Sequence, residues 1–363
     1  MIEAYLFFLG VLFFLFVVLV AIYKYSRKEK PQPIDLNDLA IVIPFRNEEN
    51  SFPSFLHSLN KQKSQPKTIL FVDDHSTDSS SQLIEQFISK NKHAHLISLD
   101  PSKTGKKQAL LAGIQKVNNH YVITFDADVE LAPRYFEHIS TALPLADLYY
   151  LPVAMKGNTF ISRFFAVEYL FFNAFNFLLT SFRPVSGSGA NLFINRNEID
   201  YNEQLQDHIQ VSSGDDHFLL KYALQKNKKV RLSNAPELLV YTNAPSTFLS
   251  YLKQRVRWLS KTHNKINFLE VCLGIVFFIY FLGGLLALFW TLFIGNWQLF
   301  LTVFLTRFIV DSLVFLNYSW NFKNRIAVLY LPLFQVLYPF LFIIVGVSSL
   351  FYIPKWKGRT IQK

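Results

Sequence analysis

The stretch Leu39-Ala40-Ile41-Val42-Ile43-Pro44-Phe45-Arg46-Asn47-Glu48-Glu49 decides the fold class. Its first part is a run of apolar residues, which predicts a buried β-strand, and its second part is a polar cluster. Similar runs recur at Thr68–Val72, His95–Leu99 and Tyr121–Phe125. Segments with apolar residues at helical spacing lie between them: Ser51–Lys63, Ser79–Lys90 and Lys106–Val117. This alternation predicts an α/β domain with a largely parallel sheet.

Polar clusters follow three of the predicted strands. They contain Arg46 and Glu48 after the first strand, Asp73 and Asp74 after the second, and Asp126 and Asp128 after the fourth. Ligands bind at the carboxyl ends of strands in such sheets, so we expect these side chains at one edge. Crowded carboxylates repel one another, and a divalent cation between Asp126 or Asp128 and a diphosphate would relieve that repulsion. Taken alone, the aspartates after the second strand equally fit a turn with a helix N-cap.

Further polar motifs lie downstream. They are Gly187–Asn191, a loop that opens a strand, Ser213–Asp216, which opens a helix, and Gln254–Trp258, which precedes an apolar segment. Each also has a plainer interpretation: acidic residues interact favourably with a helix dipole, and basic or tryptophan side chains anchor proteins at membranes. Lys106 fits a basic helix start, and its surroundings lack the full pattern of a phosphate-binding P-loop.

Apolar segments at both ends of the chain predict membrane spans. Ala4–Tyr23 contains no charge and is long enough to cross a bilayer. The basic residues follow it, which favours a retained anchor over a cleaved signal peptide and places the rest of the chain on the cytoplasmic side. We predict an anchor over residues 1–25, a globular domain over 36–265, spans over 266–354 and a basic tail over 355–363.

The number of C-terminal spans stays open. Leu269–Phe293 and Leu299–Trp320 each suit one span, whereas Ile326–Ile353 contains two prolines and suits either a full span or a broken, re-entrant segment. Arg307 and Asp311 are four residues apart on one predicted span and could neutralise each other. A further aromatic run near residues 160–182 contains charged and amide side chains, so we expect an interfacial helix there.

Composition narrows the function classes. The chain has a net charge of +10 but many of its basic residues flank apolar segments, which favours membrane anchoring and disfavours nucleic-acid binding. A single cysteine, Cys272, excludes an internal disulfide framework and a multi-cysteine zinc site.

In order along the chain, these motifs resemble the membrane-bound family 2 glycosyltransferases, a group that includes cellulose-synthase-like, hyaluronan-synthase-like and ceramide-glucosyltransferase-like enzymes. The matching residues are Pro44–Glu48, Asp73–Asp78, Gly105–Leu110, Asp126–Asp128, Gly187–Asn191, Gly214–Asp216 and Gln254–Trp258. The resemblance covers about Leu39 to Trp258, and its most specific element is Gln254–Trp258. It implies a GT-A fold, which is Rossmann-like, and an inverting, single-displacement transfer of a sugar from a UDP-sugar.

The resemblance also implies roles for individual residues. The donor nucleotide would be bound by Pro44, Arg46, Glu48, Asp73, Asp74, Lys106 and Asp126. Asp128 and Asp126 would bind Mn²⁺ or Mg²⁺. Asp216 would be the catalytic base, and Gln254, Arg257 and Trp258 would flank the diphosphate and the acceptor. Many relatives have glutamate at the position of Asp215, so Asp215 is the second candidate for the base.

The acceptor remains open at this stage. We expect single transfer to a membrane lipid or lipid-linked acceptor, since a processive polysaccharide synthase usually has more spans to line a channel. A non-catalytic membrane scaffold is a further alternative, although every expected carboxylate is present. We expect an integral protein of a bacterial inner membrane, with the catalytic domain in the cytoplasm and no nucleic-acid partner.

Overall fold

The computed structural model describes residues 2–26, 31–144, 146–180, 183–206, 214–259, 268–322, 325–352, 355–356 and 359–360. Ser213, part of the basic run after the first apolar segment and most of the basic tail lie outside these residues. By its contacts, the chain divides into two compact units. The α/β unit comprises Glu29–Lys156, Ser186–Ala244 and Lys355–Lys363, and the helical unit comprises Met1–Lys28, Gly157–Val185 and Pro245–Pro354.

The elements are numbered along the whole chain. The helices are α1 (Ile2–Ser26), α2 (Phe52–Asn60), α3 (Ser80–Lys90), α4 (Lys106–Lys116), α5 (Tyr135–Ala142), α6 (Phe160–Leu179), α7 (Tyr201–Gln206), α8 (Asp215–Gln225), α9 (Phe248–Leu259), α10 (Phe268–Phe278), α11 (Gly284–Phe293), α12 (Trp297–Ser319) and α13 (Leu331–Phe351). The strands of the two larger sheets are β1 (Leu39–Phe45), β2 (Thr68–Asp73), β3 (Ala94–Ser98), β4 (Tyr121–Phe125), β5 (Glu130–Leu131), β6 (Leu148–Tyr150), β7 (Val153–Lys156), β8 (Asn191–Asn195), β9 (Val230–Leu232) and β10 (Val240–Asn243).

The central sheet of the α/β unit has seven strands in the order β3-β2-β1-β4-β8-β6-β9. Strands β3, β2, β1 and β4 are parallel, while β8 runs antiparallel to both of its neighbours. Phe45 pairs with Asp73, and Asp73 pairs with Ser98, so these strands end at the same level. The predicted α/β fold is confirmed, and the polar clusters after β1, β2 and β4 follow the carboxyl ends of parallel strands.

A second, smaller sheet has the order β5-β10-β7. Strand β10 pairs antiparallel with β5 and parallel with β7. The segment that follows β4 is thereby joined to a strand more than a hundred residues later. This pairing matters for the site because Asp128 lies just before β5 and Thr242 lies on β10.

Close packing holds α4 against the central sheet. Gly113 on α4 faces Val42 on β1 and Val72 on β2, and a β-carbon at this position would stand 3.0 Å from Cγ2 of Val72 and closer still to Val42. The glycine therefore allows the helix to lie near the strands. As a result, the first residue of α4, Lys106, is held by a rigid support.

The helical unit contains four helices, among the described residues, that are long and apolar enough to cross a membrane. They span Ile2–Ile22, Phe268–Phe293, Trp297–Ser319 and Ala327–Phe351. Length and composition thus suit an integral membrane protein. Helix α6, predicted at a membrane interface, is grouped with these helices, packs against α12 and buries about half of its residues.

A cluster of polar side chains lies inside the helical unit. The Asp311 carboxylate on α12 accepts hydrogen bonds from the Tyr280 hydroxyl at 2.5 Å and from Nε2 of Gln335 at 2.8 Å. Arg307 is fully buried, and its guanidinium lies 5.2 Å from the centre of the Tyr280 ring. Tyr280 thus contacts both charged groups, Asp311 through its hydroxyl and Arg307 through its ring. The two charges share a cluster, but hydrogen bonds to Asp311 come from tyrosine and glutamine and not from arginine.

Gly284 provides the space for this cluster, which yields a prediction about stability. We expect Gly284→Ala to lower the thermal unfolding midpoint in detergent, because the new β-carbon would stand 2.6 Å from Nη1 of Arg307 and against the Tyr5 hydroxyl. Overpacking of this kind costs about 1–3 kcal/mol. Gly283→Ala is the matched control, since its nearest atoms, in the Tyr5 ring, are 3.5 Å away. Equal midpoints for the two variants would contradict this account of the packing.

Candidate active site

The loops that follow β1 and β2 are tied together by hydrogen bonds. The Asn47 backbone N–H donates to Oγ of Ser76 at 3.1 Å, and the Asn47 side-chain oxygen accepts from the Thr77 backbone N–H at 2.8 Å. The Glu48 N–H donates to the Ser80 hydroxyl at 2.7 Å. Asn47 has a φ of 52°, a conformation that asparagine tolerates better than most residues. The two polar clusters thus form one connected edge.

Asp73 and Asp74 both lie within this edge. The Asp73 carboxylate accepts hydrogen bonds from the Ser76 N–H and from the Ser81 hydroxyl, each at 2.8 Å. Nη1 of Arg46 donates to the backbone carbonyl of Asp74 at 2.7 Å. The turn that the sequence of these aspartates also fits is therefore present, and the Asp73 carboxylate closes it. Pro44 is buried within β1 one residue before the strand ends.

Lys106 connects three of the predicted motifs. Its ammonium lies 2.6 Å from Oδ1 of Asp126 and 3.3 Å from Oδ2 of Asp215. Burial alone would lower the pKa of Lys106, but the negative charges of Asp126 and Asp215 outweigh it and hold that pKa above its ordinary range. The lysine therefore carries a permanent positive charge between the carboxylates that follow β4 and those that open α8.

Asp128 is held by a residue from the second sheet. Its Oδ2 accepts a hydrogen bond from the Thr242 hydroxyl at 2.8 Å. Burial and the negative charge of Asp126, with a smaller contribution from Glu48, raise the pKa of Asp128 to about 6. Carboxylates from the loops after β1 and β4 therefore lie close together, and their negative charges favour the binding of a cation.

Asp216, at the start of α8, is oriented by two backbone N–H groups. Its Oδ2 accepts from the Gly189 N–H at 3.2 Å, and its Oδ1 accepts from the His217 N–H at 2.8 Å. The Tyr150 hydroxyl donates to the Asp216 carbonyl at 2.6 Å, while the Tyr150 ring packs against Gly187 so closely that no β-carbon would fit there. Burial and the charge of Asp216 raise the pKa of Tyr150 well above its usual value, so the phenol stays protonated.

The donor set can be tested for its fit to a metal ion. Among the described residues there is no group of three or more histidine, cysteine, aspartate or glutamate side chains placed to hold a metal. Asp126 and Asp128 offer two carboxylates, of which Asp126 is already paired with Lys106. Two carboxylates, Asp126 and Asp128, fit a hard cation that takes its remaining ligands from a substrate diphosphate and from water, as Mg²⁺ commonly does.

The motif Gln254–Trp258 lies on α9 in the helical unit. Arg255, which was assigned no role from sequence, is buried there against Glu168 of α6 and against aromatic rings. Gln254, Arg257 and Trp258 are partly exposed along the same helix.

Sequence reasoning missed three residues that contact the predicted motifs. Thr242 contacts Asp128, Tyr150 contacts Asp216, and Glu168 contacts Arg255. None of them belongs to a recognisable motif. For Tyr150, the available signal was Gly187, because a glycine permits the close approach of another group.

Comparison with known families finds two matching models. Residues 40–144 match the model described as glycosyl transferase family 2, and residues 121–353 match the model described as glycosyl transferase family group 2.

Among curated proteins, the chain is 28% identical over 210 residues to a teichoic acid poly(glycerol phosphate) polymerase of Staphylococcus epidermidis. This match covers 55% of the chain and 28% of the relative. The chain is 33% identical over 132 residues to an undecaprenyl-phosphate 4-deoxy-4-formamido-L-arabinose transferase of Pseudomonas fluorescens, covering 36% of the chain and 37% of that protein. In both cases the chain matches well under half of the relative's length.

Among solved structures, a mannosyltransferase from Pyrobaculum calidifontis in complex with GDP-Man and Mn²⁺ aligns over 97% of the chain and 99% of its own length. The TM-score is 0.53 at 14% identity, which is evidence about the fold alone. The predicted GT-A fold is confirmed. Because one family model covers residues 121–353 of the 363, well over half of the sequence, the chain belongs to glycosyl transferase family group 2.

Proposed function

We propose that the chain transfers a sugar from a UDP-sugar to a membrane lipid or a lipid-linked acceptor, with inversion at the anomeric carbon. The observation that carries the proposal is the position of Lys106, which pairs with both Asp126 and Asp215 and so joins two carboxylate motifs around one fixed cation. Membership of the family supports glycosyl transfer as the reaction that this cluster serves.

The donor assignment follows the edge of the sheet. We assign the nucleotide to Pro44, Arg46, Glu48, Asp73, Asp74, Lys106 and Asp126. The hydrogen bonds that link the loops after β1 and β2 support this assignment, because they make those loops a single preformed surface. The positive charge of Lys106 supports a role near the phosphates, whose oxygens are anionic.

We assign a divalent cation to Asp128 and Asp126. The raised pKa of Asp128 supports this, since crowded carboxylates are relieved by a cation. Mn²⁺ or Mg²⁺ bound there would offset the charge that develops on the departing diphosphate. The mannosyltransferase of similar fold was solved with Mn²⁺, which agrees with this choice of ion.

Asp216 is assigned as the base and Asp215 as the partner of Lys106. In the proposed step, an acceptor hydroxyl oxygen forms a bond to the anomeric carbon, the bond from that carbon to UDP breaks, and Asp216 takes the hydroxyl proton. The electron pair of the broken bond leaves with the diphosphate. The two carboxylates differ in their contacts, which supports dividing the roles: Asp215 faces the Lys106 ammonium, while Asp216 is aligned by the Gly189 N–H.

The acceptor is assigned to the motif on α9, with Gln254, Arg257 and Trp258 flanking the diphosphate and the acceptor. A base is needed for a hydroxyl acceptor, so the placement of Asp216 supports a lipid hydroxyl. A second candidate is a lipid phosphate, favoured by the relatives named as undecaprenyl-phosphate transferases. A phosphate oxygen is already ionised and needs no base.

Polymer synthesis is a further alternative, because one relative is named as a teichoic acid polymerase. We favour single transfer, since four candidate spans are few to line a channel. Basic residues next to a membrane span favour the cytoplasmic side, and they follow the first apolar segment here. We therefore propose that the α/β unit lies on the cytoplasmic side of a bacterial inner membrane.

Purified protein in detergent tests the proposed function. It is incubated with radiolabelled UDP-glucose, UDP-galactose or UDP-N-acetylglucosamine, with Mn²⁺ or Mg²⁺, and with either a membrane lipid extract or undecaprenyl phosphate. We expect one discrete labelled lipid, separated by thin-layer chromatography. A ladder of products would indicate a polymerase, and no metal-dependent turnover of any donor would refute the enzyme assignment.

The two neighbouring aspartates yield the second prediction. Asp216→Asn should lower kcat for a hydroxyl acceptor by about 10²–10⁴-fold, because the base is lost. Asp215→Asn, the matched control, should cost only about tenfold, because Lys106 keeps its pairing with Asp126. Initial rates at saturating donor and acceptor measure this difference. The reverse order of effects would make Asp215 the base, and a small effect of Asp216→Asn would favour the phosphate acceptor.

Thr242 yields a third prediction, about the metal. Thr242→Val keeps the shape of the side chain but removes the hydroxyl that donates to Asp128, so we expect the Mn²⁺ concentration for half-maximal activity to rise about 10–100-fold. Thr242→Ser keeps the hydroxyl and should behave like the wild type. The measurement is a metal titration of the initial rate. Identical titrations for all three proteins would remove Thr242 from the site.

A further inference from the structure

A buried ion pair joins α6 and α9 in the helical unit. The Arg255 guanidinium on α9 donates from Nε to both carboxylate oxygens of Glu168 on α6, each at 3.1 Å, and also from Nη2. Glu168 is 1% exposed and Arg255 is 8% exposed. The Tyr251 hydroxyl adds a further hydrogen bond to Glu168 at 3.2 Å. The carboxylate thus holds the arginine from one side through several donors.

The remaining end of the guanidinium reaches the next residue of the same helix. Nη1 of Arg255 donates to Oε1 of Gln254 at 2.6 Å. A guanidinium can only donate hydrogen bonds, so the oxygen of the Gln254 amide must face it. The NH₂ group of that amide is consequently directed away from Arg255, and it offers two N–H donors. Donors of this kind suit the oxygens of a diphosphate.

The flat faces of the guanidinium contact aromatic rings. The carbon Cζ of Arg255 lies 4.4 Å from the centre of the Trp258 ring and 4.8 Å from that of Tyr251. Trp258 also contacts Tyr169 of α6, with 5.6 Å between ring centres, and Tyr251 stacks on Phe165 at 4.2 Å. One face of α6 therefore fixes one face of α9 through matching charged and aromatic contacts.

We propose that Glu168 and Arg255 are positioning residues that set the amide orientation of Gln254 and the ring plane of Trp258. This inference rests on the proposed function, which assigns Gln254 and Trp258 to the diphosphate and the acceptor. Arg255 acts through these neighbours and Glu168 acts through Arg255. Stability is a weak reason for such a pair, because buried ion pairs are often no more stabilising than apolar residues of the same volume. The geometry that Arg255 imposes on two assigned side chains is a more specific reason.

Two variants separate positioning from a purely structural role. Arg255→Lys keeps a positive charge beside Glu168 but loses the fork that reaches Gln254 and the flat face that meets Trp258. The double variant Glu168→Met/Arg255→Met removes both charges and leaves apolar side chains in the buried space. Arg163→Lys is the matched control, because Arg163 lies on α6, is exposed and donates from Nε to the Gly157 carbonyl at 3.3 Å.

The measurements are the thermal midpoint in detergent, the Kd of UDP with Mn²⁺, and kcat for transfer to the acceptor found with the wild type. For Arg255→Lys and the double variant we expect kcat to fall about 10–100-fold, as expected for groups displaced by about an ångström. We expect the Kd of UDP to rise about tenfold in the same variants, because the Gln254 amide no longer presents its donors to the diphosphate. Arg163→Lys should match the wild type in all three measurements.

Two outcomes would overturn the inference. One is an unchanged kcat in whichever of the two variants remains folded, and the other is a loss of kcat that only follows the fraction of protein that has unfolded. Failure of the proposed function is a separate outcome, recognised by the absence of transfer in the wild type itself.

Discussion

The ion pairs of Lys106 are the interaction on which the arrangement of the site depends. Three segments that are distant in sequence each contribute one charged side chain. Lys106 lies at the start of α4, Asp126 lies in the loop after β4, and Asp215 lies at the start of α8. The two carboxylates that meet there, Asp126 and Asp215, would repel each other without the ammonium between them. Close packing of α4 on β1 and β2 through Gly113 fixes the lysine in place. The sheet thus determines where the cation stands, and the cation determines where the carboxylates gather.

Charged side chains are also buried in the helical unit, where the more apolar surroundings make their burial more costly. Glu168 and Arg255 are paired through several hydrogen bonds, whereas Arg307 is surrounded by Tyr5, Tyr280 and the backbone space left by Gly284. A charge in such an apolar setting is costly unless its surroundings are arranged for it. Each case requires side chains from several helices to meet in one geometry. Both clusters therefore specify how their helices pack, and the first also acts on the motif Gln254–Trp258.

Much of the fold could be predicted from sequence because its signals are local. The runs of apolar residues at β1, β2 and β4 predicted strands to within one residue of their observed ends. The acidic clusters follow the carboxyl ends of these strands, where ligands bind in parallel sheets. The small sheet was not predicted, because β5 has two residues and pairs with β10 far along the chain. Thr242 and Glu168 were missed for the same reason, since each makes its contact across a long stretch of sequence.

Two features that the sequence left open, the turn at Asp73 and the partners of Asp311, can be described from contacts in the structure. The turn interpretation of Asp73 is visible in its hydrogen bonds to Ser76 and Ser81, and it is compatible with a role in the donor surface. The spacing of Arg307 and Asp311 predicted that their charges could neutralise each other. The two residues share one buried cluster, in which the carboxylate accepts hydrogen bonds from Tyr280 and Gln335 on other helical segments. Residue spacing on one helix describes neighbours only along that helix, while buried charges are satisfied by whichever elements pack against them.

The most direct test of the central claim is mass spectrometry of the membrane lipids from bacterial cells that produce the wild-type chain or its Asp216→Asn variant at equal levels. Transfer of a sugar to a lipid hydroxyl, with Asp216 as the base, predicts a lipid heavier by one hexosyl or N-acetylhexosaminyl residue in the wild-type membranes and its loss with the variant. Identical lipid profiles, or a sugar polymer without any such lipid, would contradict the account.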